Sequence, residues 1–294
     1  YSLDEFRGLM YPDLSSDQPA TGENSDTPGG FVPASCHRKK DGTIFPVEVT
    51  TSTYPQKNRT ICIFCVRDIT SRKEAEDRIL ATRRLYVVLS RVSEAIVRVR
   101  DLETLLVEIC RIAVDEGHFR MVWVGLIDKE KQIISPVAHA GFEDGYLAEL
   151  RIPLDASPEG SGPTGSAFRE GVHIVTTDIA TDPRMTPWRE EAVKRGYRSS
   201  AAFPFSLHGE VVGVINLYAP EPGFFTDTEV GLLSEIAENV SFALGLLDEQ
   251  ARRARAEQAL AGSEEHARFL AAILGMSSQP FFVGYIDGRF GATN

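Results

Sequence analysis

The sequence predicts an α+β fold, in which a central antiparallel sheet is flanked by long helices. Strand-like runs come in pairs around short charged or Gly-containing turns, and two long stretches of helical periodicity enclose them. The 294 residues are 43% hydrophobic and 25% charged, which is globular, with length for roughly two domains.

Residues 11 to 35 are crowded with Pro, Gly, Ser, Asp and Thr, include Pro28-Gly29-Gly30, and read as a long loop. Thr43, Phe45, Val47 and Val49 then alternate behind the Asp41-Gly42 turn signal, and residues 60–66 form a second apolar run behind Lys57-Asn58-Arg59. Two antiparallel strands follow from that pattern. From Ser71 to about Arg100 there is no Gly or Pro, and Leu85, Leu89, Val92 and Ile96 fall at helical spacing. A second helix over residues 102–116 stops at Gly117.

Strands are expected at 119–127 and 132–139, around the turn Asp128-Lys129-Glu130-Lys131. A Gly-rich passage from Pro158 to Gly165 leads into a short helix to Glu170, and residues 172–176 read as a strand. After an irregular stretch, strands at 199–207 and 211–218 pair around His208-Gly209-Glu210. Thr226 or Asp227 caps a long helix to about Leu274, with Glu229 in its first turn suiting the helix dipole. Within it Leu233, Ile236, Val240, Ala243 and Leu247 step by 3 and 4 residues, as a short coiled-coil seam does. Residues 71–100 carry 8 basic and 4 acidic side chains, whereas 228–270 carry 4 and 8, so the two helices have opposite net charge.

The net charge of −11 argues against nucleic acid as a partner, because phosphate binding needs clustered positive charge. No run approaches the ~18 apolar residues of a membrane span, so no membrane contact is expected within this segment. Four cysteines at 36, 62, 65 and 110 are too few for a disulfide scaffold, which suggests a reducing, cytoplasmic location. Cys62 and Cys65, three apart in a strand, should point to opposite faces and lie buried rather than bind metal. The six histidines show no ligand spacing, and Ser161-Gly162-Pro163-Thr164-Gly165 lacks the Lys of a phosphate loop. It reads as a turn admitting close helix packing. Tyr1 is not a methionine and the end at Asn294 looks unfinished, so the chain is read as an excerpt.

Particular motifs resemble known families. Tyr1-Ser2-Leu3-Asp4-Glu5-Phe6, residues 37–49 (HRKKDGTIFPVEV), Val66-Arg67-Asp68-Ile69-Thr70 and the basic start at Ser71 resemble a PAS sensor domain with its PAC extension, its first strands missing. Residues 117–125 (GHFRMVWVG), His139-Ala140-Gly141-Phe142, Gly162-Pro163-Thr164-Gly165, residues 178–183 (DIATDP) and Gly196-Tyr197-Arg198-Ser199-Ser200 resemble a GAF domain of bacterial multidomain sensors. Phe269-Leu270, Pro280-Phe281-Phe282 and residues 287–290 (DGRF) look like the opening of a second PAS domain. The expected organisation is a partial PAS domain (1–70), a signalling helix (71–100), a GAF domain (85–248), a helical linker (249–268) and the start of another PAS domain (269–294).

The resemblance implies a regulatory, non-catalytic sensory segment of a prokaryotic signalling protein, with its effector, a histidine kinase or a cyclic-di-nucleotide enzyme, outside the chain. No phosphate loop, metal cluster or nucleophile triad is found, which is why no catalysis is expected. The alternative is a structural dimerisation spacer with an empty pocket. GAF pockets are covered by the segment that corresponds to 178–200, and Trp188, Arg189, Tyr197, Ser199 and Ser200 are the candidate ligand contacts. A small anionic or aromatic ligand would suit them; no cofactor is named by the sequence. Arg189 in the free protein should be solvent-facing or paired with Asp178 or Asp182. No Cys-His pair occurs in the GAF-like part, against a covalent chromophore, and Asn216-Leu217-Tyr218-Ala219-Pro220 departs from the cyclic-nucleotide signature. Asp68 and Thr70 are the expected coupling residues at the PAS exit. A parallel homodimer is expected, with Leu233, Ile236, Val240, Ala243 and Leu247 shared between the GAF core and a partner, Leu247 most of all.

Overall fold

The computed structural model describes residues 1–16, 31–57, 59–148, 150–276, 282–284 and 290–293. The Pro28-Gly29-Gly30 turn and most of the second PAS-like motif lie outside them. The chain divides into two units, Tyr1–Arg83 and Arg84–Asn294.

In the first unit, α1 (Leu3–Arg7) opens on a capping box: the Glu5 N–H donates to Ser2 Oγ at 3.3 Å, and the Ser2 N–H donates to the Glu5 carboxylate at 2.8 Å. After α2 (Tyr11–Leu14), strands β1 (Phe31–Arg38), β2 (Ile44–Gln56) and β3 (Arg59–Asp68) form an antiparallel sheet in that order. The long loop expected over 11–35 is therefore corrected at both ends, by α2 and by the start of β1. Strand β1 contains Pro33 and a register shift, and its extended form is fixed by pairing with β2 rather than by its own alternation. Val47 and Val49 are fully buried, as their alternation predicts. Cys62 and Cys65 are exposed, against expectation, because every residue of β3 is exposed among the described residues. Asp68 accepts hydrogen bonds from the Thr70 N–H (2.9 Å) and hydroxyl (2.6 Å) just where α3 (Thr70–Arg98) begins.

In the second unit, Asp101 caps α4 (Leu102–Gly117) by accepting from the Thr104 N–H, and His118 ends it in the left-handed region at φ 57°. Strands β4 (Met121–Asp128), β5 (Ile133–Gly141) and the two-residue β6 (Ile152–Pro153) follow. Next come α5 (Pro163–Glu170), β7 (Ile174–Thr176), a 3₁₀ turn at Pro183–Met185 and α6 (Arg189–Lys194). The long hairpin β8 (Ser199–Leu207) and β9 (Glu210–Ala219) precedes α7 (Asp227–Met276), which starts with Glu229 accepting from the Thr226 N–H and hydroxyl. β10 (Phe282–Gly284) and β11 (Phe290–Thr293) form a separate pair. The main sheet is antiparallel throughout, in the order β6-β5-β4-β9-β8-β7.

Both faces of this sheet are covered. Val122, Val124, Phe203, Phe205, Ile215 and Leu217 pack with α3, α4 and α7, whereas the alternate residues Met121, Trp123, Ala202, Val214 and Tyr218 belong to a second core on the opposite face. Four of the five seam residues, Leu233, Ile236, Val240 and Ala243, are at most 4% exposed in the helix-side core, and Leu247 is partly buried against it. The 3-4 stripe thus packs on this chain's own sheet, which is the core side of the sharing expected for it. One window of α7 is also long and apolar enough to cross a membrane, contrary to the sequence reading. Its stripe is apolar because it supplies the core.

Ile236→Ala should therefore destabilise the unit by about 2–5 kcal/mol, whereas Phe242→Ala, on the exposed side of α7, should change stability by less than about 0.5 kcal/mol. Urea unfolding of both variants checks the assignment of faces.

Candidate functional site

On the face of the sheet away from the helices, irregular backbone covers strands β9 and β8. A small cavity lies beneath that cover, among Tyr146, Thr164, Trp188, Ser200, Asn216 and Tyr218, with Leu150, Ile152 and Met185 completing its apolar wall. As the side chains stand, about 20 Å³ is open to the centre of a water-sized sphere, enough for about one water.

Each wall has a local cause. Ser200, Ala202, Asn216 and Tyr218 reach it because strand side chains alternate, and β8 and β9 pair Ser200 with Tyr218 and Ala202 with Asn216. Helix α5 starts at Pro163, whose missing N–H costs nothing in the first turn. It brings in Thr164, whose hydroxyl donates to Asn216 Oδ1 at 2.7 Å; Asn216 Nδ2 donates to the Val214 carbonyl at 3.3 Å. Gly162 precedes it because a Cβ there would lie 2.2 Å from the Trp188 ring. The Gly-rich passage thus admits close packing. Tyr146, Tyr197 and Tyr218 form an aromatic cluster with centroid separations of 4.8 to 5.9 Å. Burial raises the pKa of all three phenols, so they stay neutral.

Of the five candidate contacts, Trp188 and Ser200 line the cavity. Tyr197 is fully buried beside it and donates to the Phe142 carbonyl. Ser199, one residue out of phase with Ser200, donates to the Glu221 carbonyl at 2.7 Å. Arg189 donates to the Asp182 backbone carbonyl at 2.8 Å rather than to a carboxylate, which corrects the pairing expected for it. The carboxylates are taken by other arginines: Asp182 by Arg184 at 2.6 Å and Asp178 by Arg198 at 3.2 Å. Arg195 grips the Glu191 carboxylate at 2.5 Å and the Glu143 and Asp144 carbonyls at 3.1 and 2.6 Å. None of these arginines lines the cavity.

Thr164, Asn216, Tyr146 and Tyr218 escaped the sequence reading. A signal existed for one of them: Asn216 is the lone amide in the apolar run Val214 to Tyr218. Among the described residues, no group of three His, Cys, Asp or Glu is placed to hold a metal. Burial pushes the Cys110 thiol up to about 12, which keeps it protonated in the helix-side core.

The Arg184 guanidinium holds the Asp182 carboxyl below its ordinary value of 3.8, outweighing the opposing effect of partial burial. Arg198 does the same for Asp178. A depressed carboxyl stabilises the folded state above its ordinary value, and that contribution is lost as pH falls through the lower, folded value. Hydrogen exchange in residues 178–198 should therefore quicken in acid below about pH 4. Asp182→Asn should exchange faster already at pH 7 and depend less on acid. Independently, Thr164→Val, which strips Asn216 Oδ1 of its buried donor, should cost about 1–3 kcal/mol in urea unfolding.

A profile of the GAF domain family matches residues 99–245, which is half of the 294-residue chain. A methyl sulfide methyltransferase-associated sensor of Methanosarcina acetivorans is 30% identical over 156 residues; that is 52% of this chain, which spans only 15% of the sensor's length. Similar solved structures include the GAF domain of a phosphoenolpyruvate-protein phosphotransferase from Coxiella burnetii (17% identity, TM-score 0.49, 59% of this chain and 98% of that one). They also include a free methionine-R-sulfoxide reductase from Neisseria meningitidis (20% identity, TM-score 0.48, 57% and 91%) and one from Staphylococcus aureus (17%, 0.45, 54% and 95%). The expectation that the chain carries no catalysis is corrected by these reductases: missing loops and triads do not exclude an enzyme among similar structures. At such TM-scores the likeness assigns this chain no activity. The profile match over half its length, on a six-stranded antiparallel sheet with a long C-terminal helix, makes the chain a member of the GAF domain family.

Proposed function

We propose that this chain is a sensory segment of a longer signal-transduction protein, in which the state of the cavity is passed through the sheet to α7. The sharing of β8 and β9 carries this reading. Ser200, Ala202, Asn216 and Tyr218 face the cavity side, while Ala201, Phe203, Ile215 and Leu217 on the same strands pack in the core that holds Leu233, Ile236 and Val240. A shift of a few tenths of an ångström on one face reaches the other through a single layer of backbone, because packed cores do not absorb it. The sensor named among the relatives supports the same reading.

On this proposal the first unit is the closing part of a PAS domain, with its exit at Asp68 and Thr70, and the chain's end opens a second PAS domain. The protein works in the cytoplasm as a parallel homodimer. Its partner would rest not on the buried seam but on exposed apolar positions such as Phe242 and Leu246 of α7. The competing reading, a dimerisation spacer, has the small volume of the cavity in its favour.

Ser200→Leu separates the two, since it drives an apolar side chain into the cavity at a cost of about 1–3 kcal/mol. The sensory reading expects altered hydrogen exchange at 227–250, across the sheet from the substitution. Unchanged exchange there in a folded variant would leave the spacer.

A further inference from the structure

We infer that the cavity takes an uncharged, flat, ring-sized molecule carrying an amide-like hydrogen-bonding edge, an inference that rests on the proposed sensory site for its location. Three observations converge on this class. The first is the absence of charge. No Asp, Glu, Lys, Arg or His lines the cavity; Arg184, Arg198 and Arg195 of the covering segment are held by Asp182, Asp178 and Glu191, and Arg189 donates through Nη2 to the Asp182 carbonyl, its Nε staying buried without a partner. An ion entering here would be desolvated with no counter-charge.

The second observation is an incomplete set of neutral polar groups. Ser200 is 5% exposed, lines the cavity, and its hydroxyl has no hydrogen-bond partner among the described residues. Thr164 spends its one hydroxyl hydrogen on Asn216 and keeps its lone pairs, while the Asn216 amide gives one of its two hydrogens to Val214. What remains is a donor from Asn216, acceptor lone pairs from Thr164, and a hydroxyl from Ser200 that serves as either. A carbonyl beside an N–H satisfies that set.

The third observation fixes the shape. The open space holds about one water, so a larger guest needs a side chain to leave. Trp188 is the wall able to do so: it is only partly buried and sits in the turn before α6, with no side-chain capping bond. It packs so close to Gly162 that a Cβ there would lie 2.2 Å from its ring. What leaves is a planar ring between α5 and the strands, and the slot left behind is planar, with Tyr146 and Tyr218 as aromatic neighbours.

Benzamide, benzoate and benzamidinium share one ring and differ in charge, and they test the class on the full chain. Isothermal titration should show benzamide binding at least about tenfold more tightly than either ion. Tryptophan fluorescence should change on binding, and not in Trp188→Phe. Ser200→Ala should weaken benzamide about fivefold or more, the scale of one hydrogen bond. Equal or tighter binding of benzoate or benzamidinium would overturn the inference, as would no benzamide binding up to its solubility limit. Hydrogen exchange at 227–250 in the same samples separates this from the sensory reading. Benzamide binding with unchanged exchange would keep the ligand class and sink the relay. An ion that binds and alters exchange would do the reverse.

Discussion

Three strands with both faces buried hold the second unit together. Strands β4, β8 and β9 put alternate side chains into two separate cores, so most positions along them are buried on one face or the other. Burial on both sides makes register unforgiving, because a slip of one residue would exchange the contents of the two cores. It also makes the middle of the sheet crowded. Gly213 is required there, since a Cβ would lie 2.2 Å from the Phe205 ring and 2.7 Å from the Gly125 carbonyl. The helices α3, α4 and α7 close one core with regular structure, whereas irregular backbone closes the other.

That irregular cover explains the arginines. Residues 142–148 and 178–198 contribute little to the sheet ladder, so their carbonyls need donors from elsewhere. Arg195 serves Glu143, Asp144 and Glu191, and Arg189 serves Asp182. A guanidinium is suited to the task, because its five N–H groups span several acceptors at once. The cluster that looks in sequence like an anion site is therefore the fastening of a lid, and the cavity beneath it is neutral. A cover held by side chains rather than by a ladder opens at lower cost than the sheet does.

Much of the scaffold was legible in the sequence. Strand β8 falls on the predicted 199–207, α4 ends at Gly117, and α7 starts at Asp227, because each rests on local signals: a hairpin turn at His208-Gly209-Glu210, a glycine stop and a first-turn acid. Trp188 and Ser200, singled out by clustering and by the GAF resemblance, line the cavity. Arg189, Tyr197 and Ser199 were placed beside them in sequence but fasten the lid or the strand ends, since a one-residue step along a strand reverses a side chain.

The sequence by itself determined most of the helices and strands of the second unit, and that α7 carries one apolar stripe. Periodicity and turn chemistry are local, and local energetics decide them. Tertiary structure alone decided what the stripe of α7 meets, since a 3-4 pattern serves a sheet and a partner helix equally well. It alone decided which carboxylate each arginine takes, and that Thr164 meets Asn216 across 52 positions. It also made β1 a strand, through pairing with β2. These are contacts between residues far apart in the chain, selected by packing, and no window of sequence contains both partners.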